Sequence, residues 1–246
     1  MSLERAPQVV ILAGGLATRM LPRTLEMPKL LLPVGGRPFA AWLLERLAAA
    51  GYAEALLCIG HLGEAIRSAL GDGSAFGIAV RYADEGNARL GTAGALRRAL
   101  PELAPTFLVT YGDSYLPFDY RAPLEDLLAH PEALGTMAVY RNEDRYERSN
   151  TAVSGELVAR YDKSAPFDAS APRLDHIDYG AIALRRKVIK ALEPEVPLGL
   201  DQTQKDLAER GLLRAYLAEE RFYEIGSEAG LMALDSALRT PKEPRV

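Results

Sequence analysis

The stretch Val9-Val10-Ile11-Leu12-Ala13-Gly14-Gly15-Leu16-Ala17-Thr18-Arg19 decides how the rest of the chain is read. The apolar run Val9 to Leu12 reads as a buried strand feeding straight into a loop. Two adjacent glycines let the backbone turn with φ above zero and approach a ligand with no Cβ in the way. Their exposed N–H groups suit an anion such as a phosphate. Arg19 and Lys29 add fixed cationic donors, with Arg23 a further candidate. Together these parts describe a cradle for a polyphosphate. The competing reading is an ordinary strand-to-helix turn with solvated cations; Thr18-Arg19 and the later Pro28-Lys29-Leu30-Leu31-Leu32-Pro33-Val34 weigh against it. Neither G-x-G-x-x-G nor G-x-x-x-x-G-K-[ST] is present, so the two commonest phosphate loops are excluded.

Around this loop, composition sets bounds. A chain of 246 residues with 48% hydrophobic residues has ample material for a core. Lys and Arg number 29 against 33 Asp and Glu, a net charge of −4, which leaves no nucleic-acid footprint. Residues 1–7 lack the apolar core of a leader, and no later run is long enough to cross a bilayer. Cys58 is the sole cysteine and sits in an apolar run, so no internal disulfide forms and a cytoplasmic location is expected. His61, His130 and His176 show no metal-ligand spacing.

Apolar runs alternate with amphipathic stretches, the pattern of an α/β fold. Helices are expected over 39–50, ending at Gly51, and over 63–70, ending at Gly71. Strands are expected over 55–59, 78–83 and 107–110, the last delivering Tyr111-Gly112-Asp113. Thr92 is placed to cap a helix running to Leu100, with Pro101 beyond. Further strands are expected at 136–140, 152–153, 157–161 and 177–184, with Ser154-Gly155 as a hairpin turn. A helix follows over 202–210, then a short strand at 222–225, and Ser227 opens a last helix toward Leu238. No internal repeat or low-complexity linker appears. One domain over residues 1–240 is expected, with 241–246 as a fraying tail.

The signature resembles that of the sugar-phosphate nucleotidylyltransferases, G-G-x-G-T-R-L-x-P-x-T followed by P-K-P-L-L-P-V. Gly14, Gly15, Thr18, Arg19, Pro22, Thr24, Pro28, Lys29, Leu31, Leu32, Pro33 and Val34 match, while Ala17 replaces a Gly and Leu30 a Pro. The resemblance runs in motif order from about residue 8 to 230. It implies a single-domain, Rossmann-like, mixed and mostly parallel sheet flanked by helices, with a nucleotide part at about 8–113 and a sugar-phosphate part at about 114–240. The implied nucleotide-binding residues are Leu12, Ala13, Gly14, Gly15, Thr18, Glu85, Gly91, Thr92 and Gly94. The run Leu90-Gly91-Thr92-Ala93-Gly94-Ala95-Leu96 is most similar to guanylyltransferases acting on mannose or heptose 1-phosphates, which favours GTP. Read alone, these glycines would let a flat base lie against the backbone of a helix start, or would simply cap a helix.

Asp113 ends a strand after a glycine, where an open α/β sheet presents ligand-binding groups. A carboxylate there suits Mg²⁺, although a turn aspartate capping Ser114 is the alternative. The resemblance makes Asp113 one metal ligand and Glu224 the second, at a position where the family carries Asp. It also makes Lys163 the lysine for the sugar-borne phosphate, and places Asp162, Asp178 and Gly180 around the sugar. Asp178, standing for Asn, accepts hydrogen bonds without donating them. The charge-rich segment 141–150 has no counterpart and reads as a solvated loop rather than a pocket wall.

The implied reaction is attack of a sugar-1-phosphate oxygen on the α-phosphorus of an NTP, releasing pyrophosphate. The nucleophile is already an anion, which fits a chain without a nucleophilic Ser-His-Asp set. The catalytic set is then Arg19, Lys29, Asp113 and Lys163, with Mg²⁺ as cofactor and an NTP and a sugar 1-phosphate as partners. A homo-oligomer is left open. No repeated hexapeptide pattern appears, so no acyltransferase half is expected. Alternatives are the same chemistry with UTP, CTP or dTTP and another sugar or alcohol phosphate, or a non-catalytic sugar-nucleotide sensor. A Rossmann oxidoreductase is disfavoured by the missing third glycine.

Overall fold

The computed structural model describes residues 7–163 and 172–239, so the expected tail lies outside the described residues. Strand β1 (Gln8–Leu12) runs into the glycine loop. Three single 3-10 turns, at Thr18–Met20, Arg23–Leu25 and Lys29–Leu31, lead to a small hairpin of β2 (Pro33–Val34) and β3 (Arg37–Pro38). Then α1 (Phe39–Ala49), β4 (Glu54–Ile59), α2 (Gly63–Leu70), β5 (Ala79–Asp84), α3 (Gly91–Arg98) and β6 (Thr106–Tyr111) alternate. The second half holds β7 (Ser114–Tyr115), α4 (Ala122–Ala129), β8 (Gly135–Arg141), β9 (Thr151–Ser154), β10 (Leu157–Tyr161) and β11 (His176–Arg185). It closes with α5 (Arg186–Lys190), α6 (Leu200–Glu209), β12 (Leu213–Ala218), β13 (Tyr223–Glu224) and α7 (Glu228–Arg239).

Among the described residues, nine strands form one mixed sheet in the order β5-β4-β1-β6-β11-β8-β12-β10-β9. β5, β4, β1 and β6 are mutually parallel, and β12 is parallel to β8. β11 runs antiparallel to β6 and β8, and the β9–β10 hairpin closes one edge. Side chains alternate across the sheet with the two-residue period of a strand. Val9 and Ile11 pack with α1, α2, α4 and α7 on one face, while Val10 and Leu12 pack with α3, α5 and α6 on the other. Burial on both faces explains why β1 is apolar at every position.

Several boundaries follow the sequence expectations for the stated reasons. Gly51 has φ 85° just past α1, and Gly71 has φ 55° at the end of α2. Ser227 caps α7, its Oγ accepting from Gly230 N–H at 3.1 Å. Other expectations are corrected. The hairpin loop is Gly155-Glu156, not Ser154-Gly155, because Ser154 already pairs with Leu157. Thr92 does not cap α3; its Oγ1 accepts from Leu200 N–H at 2.7 Å and ties α3 to α6. α4, α5 and β12 had no sequence expectation, and β12 stands well inside the sheet.

Candidate active site

Two cavities of about 390 Å³ each open where β1 and β6 deliver their carboxyl ends. Tyr111 and Asp113 line both, so the cavities meet at one carboxylate. This is the edge at which an open parallel sheet presents ligand-binding loops.

The first cavity is walled by the glycine loop. Leu12, Ala13, Gly14 and Gly15 line it, together with Lys29, Glu85, Gly91 and Thr92. Gly14 sits close against its neighbours: a Cβ there would stand 2.7 Å from Glu85 Oε1 and 3.3 Å from Gly60 N, so any side chain displaces the Glu85 carboxylate. A Cβ on Gly15 would meet nothing within 4 Å, so its position faces open space at the cavity. Glu85 fits the notch beside Gly14 and Gly60, and its Oε2 accepts from Leu90 N–H at 3.1 Å. Burial raises the pKa of this carboxyl group, opposed by the Leu90 N–H. Arg89 lines the cavity without having been singled out in the sequence. Ala17 takes the left-handed conformation, φ 51° and ψ 42°, which its Gly counterpart in the signature would adopt at no steric cost.

Two expected nucleotide residues stand elsewhere. Thr18 opens the 3-10 turn and does not line the first cavity. Gly94 faces the segment before α6, where a Cβ would lie 3.1 Å from Val196 O. The N–H groups of Ala93 and Gly94 donate to Leu198 O at 2.9 and 3.3 Å, so they are not free to read a base. The glycines of α3 therefore serve close packing on residues 196–198, and at Gly91 a φ of 71° as well.

The second cavity collects Arg19, Lys163, Asp178, Gly180 and Glu224 around Asp113. β7 and β13 pair Ser114 with Glu224, and Ile225 N–H donates to Asp113 O at 2.9 Å, which brings the two acids onto adjacent strands. Lys29 Nζ donates to Asp113 Oδ2 at 2.8 Å. Gly226 makes room for the cations: a Cβ there would lie 3.0 Å from Arg19 Nη2 and 3.6 Å from Lys29 Nζ. Burial, and then the charge of Asp113, pushes the Glu224 carboxyl up to about 7, with Arg19 pulling the other way.

Asp178 is more constrained than its sequence suggested. Its Oδ1 accepts from Gly180 N–H at 3.0 Å, and Oδ2 accepts from Tyr161 Oη and Gln204 Nε2 at 3.1 and 3.0 Å. Gly180 has φ 95° at a register shift in β11, and Thr110 Oγ1 donates to its carbonyl at 3.0 Å. Asp162 does not line the cavity and lies 3.5 Å from Lys205 Nζ. The segment 141–150 is not merely a solvated loop: Glu147, Arg148 and Asn150 line the second cavity. A polar loop carries no periodic signal, and only its position between β8 and β9 reveals its role as a wall.

Two carboxylates on the wall of one cavity, with cations nearby, form a donor set suited to a hard divalent cation that takes its remaining oxygens from water or phosphates. Among the described residues no group of three or more candidate ligands occurs, so an all-protein cage is not built here. Also among the described residues, no helix is long and apolar enough to cross a membrane.

A family model described as Nucleotidyl transferase matches residues 8–149, more than half of the chain. The chain belongs to the nucleotidyl transferase family. It is 41% identical over 126 residues to N-acetylmuramate alpha-1-phosphate uridylyltransferase of Neisseria meningitidis, covering 51% of this chain and 54% of that protein. It is 30% identical over 212 residues to mannose-1-phosphate guanylyltransferase of Mycobacterium tuberculosis, covering 85% of this chain and 55% of that protein. The chain thus spans about half the length of these curated relatives. In fold it is similar to HddC from Yersinia pseudotuberculosis, with a TM-score of 0.79 and 23% identity over 95% of this chain and 100% of that one. A structure described as a putative glucose-1-phosphate thymidylyltransferase from Bacillus anthracis gives a TM-score of 0.82 at 22% identity, covering 98% of both chains. The expected fold, a mixed α/β sheet flanked by helices, is therefore the observed one, except that the sheet is not mostly parallel: β11, β10 and β9 join it by antiparallel pairing.

Proposed function

We propose that this protein transfers a nucleotidyl group from an NTP, with GTP preferred, to a manno-configured hexose or heptose 1-phosphate, giving an NDP-sugar and pyrophosphate. The observation that carries this reading is the meeting of two cavities at Asp113. A glycine-walled cavity suits the triphosphate, and a cavity bearing Arg19 and Lys163 suits the sugar phosphate. The chemical difficulty is that two polyanions must approach. Two unit charges about 4 Å apart repel by roughly 4 kcal/mol at an effective dielectric near 20, and several such pairs arise here. Arg19, Lys29 and Lys163 offset this repulsion, and the site works by positioning and charge neutralisation. Asp113 and Glu224 would hold Mg²⁺, which when bound polarises phosphoryl oxygens.

Guanine preference is supported by Glu85. Its carboxylate only accepts hydrogen bonds, and guanine offers two adjacent donors on its Watson–Crick edge where uracil offers one between two acceptors. The likeness to a uridylyltransferase over 126 residues favours a second reading, UTP with an amino-sugar phosphate. The two are separated by pyrophosphate release with GTP, UTP, CTP, ATP and dTTP against mannose, manno-heptose, glucose and N-acetylated sugar 1-phosphates. GTP with a manno-configured acceptor is expected to turn over fastest, and Glu85→Gln to lose at least tenfold of its preference for GTP over UTP. Fastest turnover with UTP, or a Glu85→Gln variant of unchanged preference, contradicts the guanine reading.

A further inference from the structure

We infer that Arg221 and Tyr146 form a clasp that positions residues 142–150 as the acceptor-selecting wall of the second cavity; this rests on the function proposed above. Arg221 Cζ lies 4.0 Å from the Tyr146 ring centroid and 4.5 Å from that of Tyr223. One guanidinium is thus stacked between the loop and β13, the strand that carries Glu224. Tyr146 also meets Phe222 and Tyr140, with ring centroids 6.3 and 6.2 Å away.

The loop is internally closed, so a hold at Tyr146 is transmitted to its neighbours. Asn142 is fully buried, and its Nδ2 donates to Glu147 O and Ser149 Oγ at 2.6 and 3.1 Å. Ser149 N–H donates to Asp144 Oδ1 at 2.7 Å, and Asp144 N–H donates back to Ser149 Oγ at 3.0 Å. Asn150 Oδ1 accepts from Asp178 N–H at 2.9 Å, fixing the far end of the loop to β11. Between these two anchors stand Glu147 and Arg148, both on the cavity wall.

A purely structural role is a poor match for the clasp. Tyr146 is 42% exposed and contributes little core burial, while the loop backbone is closed without it. Stacking of a guanidinium on two ring faces fixes orientation at a half-exposed site. Its consequence is the placement of Glu147 and Arg148 relative to Glu224. Arg221 and Tyr146 are therefore positioning residues that do not line the cavity themselves.

The test compares Arg221→Ala, Tyr146→Leu, Tyr146→Phe and the Arg221→Ala/Tyr146→Leu double variant. Arg221→Ala and Tyr146→Leu are expected to raise KM for the sugar 1-phosphate about tenfold, leave KM for the NTP within about twofold, and change Tm by only a few degrees. Tyr146→Phe keeps the ring face, loses only the hydroxyl contact with Tyr140, and is expected to keep both KM values within about twofold of wild type. The double variant is expected to be no worse than either single, since the pair acts as one unit. If both KM values move together, if neither moves, or if the two single effects multiply, the clasp is wrong. Should Arg221→Ala fail to fold, Tyr146→Leu against Tyr146→Phe carries the comparison. Absence of turnover in the wild type would refute the function instead, before any variant is made. Hydrogen exchange then decides the clasp: faster exchange of amides 142–150 alone in Tyr146→Leu supports it, and unchanged exchange overturns it.

Discussion

Gly14 and Gly15 are neighbours with different reasons to be glycine. Gly14 has no room for a side chain because Glu85 fills the space, whereas Gly15 has open space toward the cavity. Gly14→Val is expected to lower stability by overpacking, at about 1–3 kcal/mol. Gly15→Val is expected to keep Tm within a few degrees of wild type but to abolish the rise in Tm that an NTP produces. Thermal shift with and without nucleotide checks both; a normal nucleotide shift in Gly15→Val would remove the glycine loop from the binding site. Glu224 shows the opposite tension. Its carboxyl is buried in the same cavity as Asp113, so Glu224→Gln removes a desolvated charge and then a like-charge repulsion, and is expected to raise stability by about 1 kcal/mol. The same change removes half of the proposed cation site and is expected to cost about 10²-fold or more in turnover. A variant that loses activity and stability together would contradict this assignment.

At the scale of elements, the second half is held by polar ties that its sequence hardly announces. Arg214 on β12 donates to Asp126 on α4 from Nε and Nη2 at 2.9 and 3.1 Å, and Thr136 on β8 donates to the same carboxylate at 2.8 Å. Burial pushes the Asp126 carboxyl up, but the Arg214 and Thr136 hydrogen bonds outweigh it and hold it below the ordinary value. A depressed folded pKa gives stability that is present above the unfolded value of about 3.9 and is lost as pH falls through the folded value. Asp126→Asn is therefore expected to destabilise by about 1–3 kcal/mol at pH 7 and to flatten the loss of stability below about pH 4. Urea midpoints across pH measure this, and a wild-type acid limb in the variant would contradict it. The sequence Leu213-Arg214-Ala215-Tyr216-Leu217-Ala218 hides β12 because Leu, Ala and Arg are good helix formers. Its strand state comes from pairing with β8 inside the sheet, a tertiary effect that local propensity does not carry. The β9–β10 hairpin and the ends of α1 and α2 were legible because glycines with positive φ mark them.

Across the whole molecule, the legible part of the candidate site is the part written in short motifs. Gly14, Gly15, Lys29, Asp113, Lys163, Asp178 and Glu224 come from segments far apart in the chain: β1, β6 and β11 set the glycine loop, Asp113 and Asp178 side by side, while Lys163 follows β10 and Glu224 comes on β13 of the small β7–β13 sheet. Illegible parts are those where a residue's role depends on a partner from elsewhere. The N–H groups of Ala93 and Gly94 in α3 are taken by Leu198, Asp178 is held by Gln204 and Tyr161, and segment 141–150 becomes a wall only once β8 and β9 are placed. In the proposed function, two substrates meet at Asp113, where both cavities open. The most direct measurement is pyrophosphate release as a function of sugar 1-phosphate concentration, in wild type and in Asp113→Asn, with nucleotide binding followed in parallel by thermal shift. Release that depends on the sugar phosphate is expected in the wild type, with a fall of about 10²-fold or more in Asp113→Asn and the nucleotide-induced rise in Tm retained. Release that ignores the sugar phosphate, or an Asp113→Asn variant at the wild-type rate, would contradict it.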